Sequence, residues 1–222
     1  MTYDEEYTKK LEDVIKQMLQ PLRNVPFNLV IENICGCKVT PFIRKDIKDK
    51  AVLKKLIKVA KITGKTVNQK GIKRSRPNEV GNDIEPFVIN SLITIGYNAG
   101  SPLTRKGGHK KTGYPDIEFI DEFNRVNYLE CKTFNIDSFN TTMRSFYLSP
   151  SEDFKITHDA HHFVLSFEIF VDRNVGKNNI YKCKNWKILS IEKLAVDVKY
   201  EFNADNQRLY ANKLILAQGD LD

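Results

Sequence analysis

The sequence predicts an α/β fold in which a central mixed β-sheet is flanked by helices. Residues 116–120 and 126–132 both alternate polar with apolar side chains and are separated by a polar turn, which is the pattern of a β-hairpin. Residues 163–170 are a mostly apolar run of strand length, and apolar residues recur at helical spacing after Asp83. Strands and helices mixed along one chain indicate a sheet whose faces are covered by helices.

The first 78 residues are predicted to be a helical, basic region set apart from residues 79–222. Residues 4–19 carry apolar side chains at helical spacing, and we predict that this apolar stripe faces inward. Residues 27–34 are interpreted as a short strand. Residues 64–78 hold enough polar and chain-breaking residues to predict a flexible loop.

A further helix is predicted to begin near Asp83, because Pro86 fits only the first turn of a helix. Residues 186–216 are interpreted as a strand or mixed structure followed by a helix over about residues 206–216. At 222 residues and 41% hydrophobic composition, the chain can bury a substantial core.

Composition favours a cytoplasmic protein with no membrane partner. No segment is long and apolar enough to cross a bilayer, and the charged N-terminus lacks a signal-peptide core. The abundance of lysine, asparagine and isoleucine is typical of an AT-rich, bacterial or phage genome. No Cys-x-x-Cys pair is present, so we expect free thiols at the four cysteines: Cys35, Cys37, Cys131 and Cys183.

Positive charge is concentrated in one segment. Residues 43–76 contain ten Lys and three Arg against two Asp, whereas the whole chain carries only +7. Such a segment is the expected footprint of a nucleic-acid partner, since contacts to phosphates supply most nonspecific affinity. A solvated lysine face above the apolar helical stripe of Val52, Leu56 and Ala60 remains the alternative.

The predicted hairpin brings acidic residues together. Folding the chain about residue 123 places Asp116 opposite Glu130, about 5 Å apart, and alternation puts Glu118 and Lys132 on the same face. Carboxylates at that separation repel, which raises their pKa or requires a cation, and hard oxygen ligands favour Mg²⁺. The opposite face is apolar and predicted to be buried; it carries Ile117, Phe119, Leu129 and Cys131.

Pro115-Asp116 followed by Glu130-Cys131-Lys132 resembles the two half-motifs of the PD-(D/E)xK nuclease superfamily, and residues 144–170 resemble type II restriction endonucleases. The resemblance implies a restriction-endonuclease-like core and Mg²⁺-dependent, site-specific cleavage of double-stranded DNA that leaves 5′-phosphate and 3′-hydroxyl ends. Asp116 and Glu130 would hold Mg²⁺ with the Cys131 carbonyl, and Lys132 would orient the attacking water. A surface hairpin with solvated charges is the alternative.

Superfamily members commonly carry an acidic residue on the helix that precedes the catalytic hairpin. By this resemblance Glu85 is the candidate and Glu79 the second choice, while Glu85 or Glu118 would complete a second metal site. The alternative for Asp83 and Glu85 is that they complement the helix dipole, an effect worth about 0.3 to 1 kcal/mol.

Three segments are candidates for DNA contact. The basic N-terminal region supplies Lys73, Arg74 and Arg76, and the loop that leads into the catalytic strand supplies Arg105, Lys106, Lys110 and Lys111. Sequence readout is predicted from residues 133–149, where an ordinary polar loop is the alternative. Because Asn suits adenine and Thr suits the thymine methyl, an AT-rich site is favoured. The candidate readers are Asn135, Asn140, Thr141, Thr142, Arg144 and Tyr147.

The resemblance further implies a homodimer acting on a palindromic site, with a cognate DNA methyltransferase in the host. Residues 1–78 would then contact DNA or mediate dimerisation, and residues 79–222 would form the catalytic core with its recognition loops. Two other functions stay open at this point: a structure-specific nuclease of DNA repair or recombination, and a DNA-binding module without catalysis.

Overall fold

The protein is represented by a computed structural model, which describes residues 4–20, 22–110, 112–135, 146, 148, 151–198, 206–209 and 211–215. The chain divides into two compact units. The smaller unit comprises Met1–Val25 and Ala195–Asp222, and the larger unit comprises Pro26–Leu194. No helix in the described ranges is both long and apolar enough to span a membrane.

The smaller unit begins with α1, Glu5–Leu19, as the sequence predicted. Asp4 caps this helix, because its side chain accepts the backbone N–H of Tyr7 at 2.7 Å. The apolar stripe predicted to face inward is exposed instead, and α1 has no buried residue. Within the predicted C-terminal helix, the described residues form the short helix α5, Asn206–Leu209, and a 3₁₀ turn, Asn212–Leu214. A small two-stranded sheet is formed by β1, Val25–Pro26, and β8, Ala195–Val196.

The larger unit is built on a six-stranded sheet of order β2-β7-β6-β5-β4-β3. Only β5 and β6 pair in parallel, so the sheet is mixed, as predicted. The predicted hairpin is β4–β5, in which β5 is one of the two central strands and β4 lies between β5 and the edge strand β3. The strand bounds are β2 Ile72–Arg74, β3 Asn98–Gly100, β4 Ile117–Ile120, β5 Val126–Phe134, β6 His161–Val175 and β7 Asn178–Ser190.

Helices cover both faces of this sheet: α2 Phe27–Cys35, α3 Ile47–Lys70 and α4 Val80–Thr94, with a 3₁₀ turn at Pro77–Glu79. The strand predicted over residues 27–34 was wrong. Phe27 and Ile31, one helical turn apart, are both fully buried, so helical periodicity prevails in this short apolar run. Gly36, at φ 75°, ends the helix in the left-handed conformation.

The flexible loop predicted over residues 64–78 was also wrong. Helix α3 continues through Gly64 to Lys70 because Thr63 and Val67 extend its buried face, and β2 and the 3₁₀ turn follow. Helix α4 likewise begins earlier than predicted, so that Pro86 lies inside it rather than in its first turn. Pro86 and Asn82 are both exposed, which leaves the carbonyl freed by the proline accessible to water.

Strand alternation divides the buried residues into two cores. Ile117, Phe119, Leu129 and Cys131 face α3 and α4, as the apolar face of the hairpin predicted. Tyr128 lies in the second core with Phe27 and Ile31 of α2. The polar face of the hairpin therefore shares its side of the sheet with a partly aromatic core.

The turn of the hairpin is held by one arginine. Arg125 donates from Nε to Asp121 and from Nη1 to Asp49 at the start of α3, both at 2.8 Å. Asp121 also accepts the backbone N–H groups of Phe123 and Arg125 at 2.9 Å. The Asp49 and Asp121 side chains are 4% and 0% exposed, so each depends on these donors.

We expect Arg125→Ala to destabilise the protein by about 3 to 5 kcal/mol, because two buried carboxylates lose their cation. Urea denaturation at neutral pH measures the change. Arg173→Ala is the control: Arg173 pairs with Asp172 at 2.7 Å, but its side chain is 63% exposed, so the loss should stay below about 1 kcal/mol. Equal effects of the two substitutions would contradict this account of the turn.

Candidate active site at one end of the sheet

The hairpin register places the two motif carboxylates opposite each other. Ile117 pairs with Leu129 and Glu118 with Tyr128, so Asp116, one residue before β4, lies across from Glu130. Asp116 Oδ2 accepts the backbone N–H of Cys131 at 2.8 Å. This hydrogen bond links the first half-motif to the second and fixes the Asp116 side chain beside the end of the β4–β5 strand pair.

Burial dominates the electrostatics of this pair. Desolvation raises the pKa of Glu130 to about 7, and the charge of Asp116 adds to the rise, while Lys132 opposes it. Desolvation also raises the pKa of Asp116, opposed by the Cys131 N–H and by the charges of Lys132 and Lys155. The two carboxyl groups lie close enough to share a proton, and each makes the other harder to ionise.

Glu130 has one satisfied and one unsatisfied oxygen. Lys132 Nζ donates to Oε1 at 2.6 Å. Oε2 is buried and receives no hydrogen bond from the described residues. A proton shared with Asp116, or a bound cation, would satisfy it.

Helix α4 brings a third carboxylate to the pair. Desolvation raises the pKa of Glu85 to about 7, and the charge of Asp116 raises it further, whereas Lys155 and Lys132 lower it. Glu79 takes no part, since it accepts hydrogen bonds from Ser75 and the Arg76 N–H beside the 3₁₀ turn.

Glu118 interacts with Tyr128 and His158 rather than with Asp116 and Glu130. Desolvation raises its pKa, and a hydrogen bond with Tyr128 and the charge of His158 oppose the rise. Of the two acids that the sequence left open for a second metal site, Glu85 is therefore the one that interacts with Asp116.

Sequence reasoning missed Lys155. This lysine is 3% exposed, and its Nζ donates to the carbonyls of Gly113 and Pro115 at 2.8 and 3.1 Å. Burial lowers its pKa, and the charges of Asp116, Glu130 and Glu85 raise it. Lys155 thus anchors the chain just before Asp116 and supplies positive charge to the carboxylates.

Aromatic packing supports the same stretch of chain. The Tyr114 hydroxyl lies 2.6 Å from His162 Nδ1, and the two rings stack with centroids 5.8 Å apart. Burial lowers the pKa of His162 to about 3, so this imidazole is neutral at physiological pH. A neutral, buried ring is a packing and hydrogen-bonding group here rather than a source of charge for the site.

Three of the seven described residues that were predicted to contact DNA lie in a loop at the end of β4 that leads to Asp116. β3 runs antiparallel to β4 and ends with Gly100 beside Glu118, so the loop of Arg105, Lys106 and Lys110 follows at the Asp116 end. Backbone and side-chain bonds to Phe154, Asp153 and Ser151 hold this exposed loop.

The remaining predicted contacts have different settings. Lys73 is exposed on β2, and Arg74 pairs with Asp83 through two hydrogen bonds of 2.5 and 2.6 Å, which neutralises its charge. Arg76 is exposed, and Asn135 follows β5 and is partly buried. The other predicted contacts lie outside the described residues: Lys111, Asn140, Thr141, Thr142, Arg144 and Tyr147.

The residues present fit one hard cation better than a larger metal centre. Among the described residues, no group of three or more His, Cys, Asp or Glu side chains is placed to hold a metal ion. Asp116 and Glu130 supply two desolvated carboxylates and the unsatisfied Oε2. The Cys131 side chain lies in the apolar core, so only its carbonyl oxygen is available as a further ligand.

Comparison with known proteins identifies the family. Residues 7–213 match the Type II restriction enzyme MjaV family, a range that includes α4, the hairpin and Lys155. The chain belongs to this family of type II restriction enzymes. A relative described as type II restriction enzyme MjaV, from Methanocaldococcus jannaschii, is 38% identical over 233 aligned positions, covering 98% of this chain and 99% of the relative. No solved structure gives a significant match.

In this MjaV-family protein, we expect Glu130→Gln to stabilise the metal-free fold at pH 8. The pKa of Glu130 rises from 4.5 in the unfolded chain to about 7 in the native state. Between those values the native state binds more protons, so the free energy of unfolding falls as pH rises. At pH 8 without divalent cations, the free energy of unfolding of the variant should exceed that of the wild type by on the order of 1 to 3 kcal/mol, as measured by thermal unfolding.

That difference should vanish near pH 5, where Glu130 of the wild type is protonated in the native state. Glu152→Gln, at an exposed position, is the control and should follow the wild type at both pH values. A stability gap that does not change with pH would contradict the burial of a strained carboxylate pair.

Proposed function

We propose that this protein is a Mg²⁺-dependent endonuclease of the PD-(D/E)xK type that cuts double-stranded DNA at a specific site. One observation carries the proposal: Asp116 and Glu130 face each other with a buried, unsatisfied Glu130 Oε2, and Lys132 Nζ lies 2.6 Å from the other oxygen of Glu130. Membership in a family of type II restriction enzymes supports duplex DNA as the substrate.

Asp116 and Glu130 would hold the cation, with the Cys131 carbonyl as a further ligand. A Mg²⁺ ion bound there would polarise the scissile phosphate and lower the pKa of an attacking water. Lys132, whose Nζ lies 2.6 Å from Glu130 Oε1, would orient the attacking water and stabilise negative charge on the phosphate. Lys155 would keep Asp116 in position through its bonds to Gly113 and Pro115.

Glu85 would act beside this pair. Its pKa of about 7 suits a group that accepts a proton near neutral pH, since transfer is most efficient when the pKa matches the working pH. Lys132 and Lys155 keep part of the Glu85 population ionised, because both charges lower its pKa. This assigns Glu85, rather than Glu79 or Glu118, as the supporting acid.

The substrate would lie across the end of the sheet where β5 delivers Glu130 and Lys132. Arg105, Lys106 and Lys110 in the exposed loop would contact phosphates beside the cut. Lys73 on β2, at the opposite edge of the sheet, would contact phosphates farther along the duplex. Hydrolysis would leave 5′-phosphate and 3′-hydroxyl ends. A homodimer would match a palindromic, AT-rich site, with residues 1–78 contributing DNA contact or dimerisation, and a cognate methyltransferase would protect host DNA.

Digestion of unmethylated plasmid and phage DNA tests this function. We expect discrete fragments with Mg²⁺ and none when EDTA removes it, and sequencing of the ends would give the site. Lys132→Ala should slow cleavage by about 10² to 10³-fold, because it removes a cation that stabilises the transition state. Lys193→Ala, at an exposed position after the C-terminal end of β7, is the control and should cut normally.

Cleavage only at mismatches, junctions or DNA ends would favour a repair or recombination nuclease over a restriction enzyme. Duplex binding without cleavage at any Mg²⁺ concentration would favour a binding module instead. Either outcome would overturn site-specific cleavage of intact duplexes.

A comparison of two acids tests the assignment of Glu85. We expect Glu85→Gln to reduce the cleavage rate by about 10 to 100-fold, as found for groups that support metal ligands. Glu118→Gln should change the rate less than about threefold, since its neighbours are Tyr128 and His158. Single-turnover cleavage of a plasmid measures both. A larger effect of Glu118→Gln would exchange the two roles.

A further inference from the structure

The two longest strands, β6 and β7, extend beyond the described end of β5, and β2 flanks β7 as far as Asn179. β5 pairs with β6 as far as Phe134 opposite Glu168, and β6 then runs seven residues farther to Val175. The first nine residues of β6 are buried and the last six exposed. At about 3.3 Å per residue, this extension reaches roughly 23 Å past the end of β5.

The extension ends in a tight turn. Val175 pairs with Asn178, which leaves a two-residue loop of Gly176 and Lys177. Gly176 has φ 62°, a conformation that glycine adopts without strain and that suits the first position of a two-residue hairpin turn. We call residues 172–179 the β6–β7 tip.

The β6–β7 tip lies along the strand direction from the candidate active site. β5 presents Glu130 at its midpoint and Lys132 two residues later, and β6 runs parallel to β5 and continues past its C-terminal end. Val164 of β6 pairs with Glu130, so Val175 lies eleven residues farther along, or roughly 36 Å at 3.3 Å per residue. A duplex that follows the strand direction from the carboxylates would meet the tip.

The composition of the tip and its base suits contact with DNA, which carries negative phosphates and presents base edges that donate and accept hydrogen bonds. Residues 170–184 contain two Arg or Lys in the tip and two at its base against a single acid, Asp172, which gives a net charge of +3. Arg173 pairs with Asp172 on an exposed surface, where such a pair is weak and readily exchanged. Lys177 makes no ion pair with the described residues.

The two faces of the tip differ. On one face Asn174 donates to Asn179, and Asn179 donates to the Tyr181 hydroxyl at 3.2 Å, so these amides support the hairpin itself. Alternation and the strand register put Arg173, Val175 and Asn178 on the other face. Among the described residues, none from the core of the larger unit forms a hydrogen bond with these three side chains. Val175 is 43% exposed.

We propose that the β6–β7 tip enters a groove of the bound duplex and contributes to sequence discrimination through Arg173, Lys177 and Asn178. The major groove of B-DNA admits a two-stranded β-ribbon, and Arg, Lys and Asn are the side chains that pair with guanine and adenine edges. Exposed Val175 offers an apolar contact for a thymine methyl. This inference rests on the proposed function, since it requires duplex DNA bound at Asp116 and Glu130.

Selection from a pool of random duplexes, without divalent cation, tests the tip independently of cleavage. The wild type should enrich one sequence, and Arg173→Ala combined with Asn178→Ala should lower that enrichment at least tenfold. Arg173→Lys should retain part of it. Lys193→Ala, at an exposed position after the C-terminal end of β7, is the matched control and should enrich the same sequence as the wild type.

Enrichment by the double variant within twofold of the wild type would overturn the proposal. So would a change from dimer to monomer in sedimentation of the double variant, because the tip would then be a contact between subunits. Thermal unfolding should match the wild type, which shows that the variant is folded. Selective binding by a wild type that never cuts would refute the proposed cleavage while leaving the role of the tip supported.

Discussion

The antiparallel pairing of β4 with β5 in a single register is the constraint on which the larger unit depends. Because side chains alternate along a strand, a slip of one residue would move Glu130 into the apolar core and Cys131 to the polar face. The Arg125 cluster resists such a slip, since it bonds the turn to itself and to the first turn of α3. One register thus sets the core, the face that carries the candidate active site, and the position of α3.

The same register imposes an electrostatic cost. It holds two carboxylates side by side, both desolvated, where ionisation of one opposes ionisation of the other. Lys132 and Lys155 offset part of the repulsion, the first from the same strand as Glu130 and the second from a segment distant in sequence. Oε2 of Glu130 still lacks a hydrogen-bond partner among the described residues, and a bound cation would neutralise the remaining negative charge. The arrangement is typical of sites where stability is given up for chemistry.

Local patterns predicted the hairpin well and failed where distant contacts decide. The facing of Asp116 and Glu130 follows from period-two alternation across a short turn, information contained in seventeen consecutive residues. Residues 27–34 were misjudged because a short apolar run suits a strand and a helix equally, and burial of Phe27 and Ile31 chose between them. Lys155 had no local signal, since its partners lie 40 and 42 residues away.

The edges of the six-stranded sheet affect whether separate molecules of the protein can associate through their strands. Both edge strands, β2 and β3, are only three residues long, and β2 ends in the charged pair Lys73-Arg74. Beyond Glu168, β6 pairs only with β7 among the described residues, and that pairing shifts its register between Val171 and Arg173. Short, charged and irregular edges offer little continuous backbone for a strand from another molecule, so the fold is protected against edge-to-edge aggregation into fibrils.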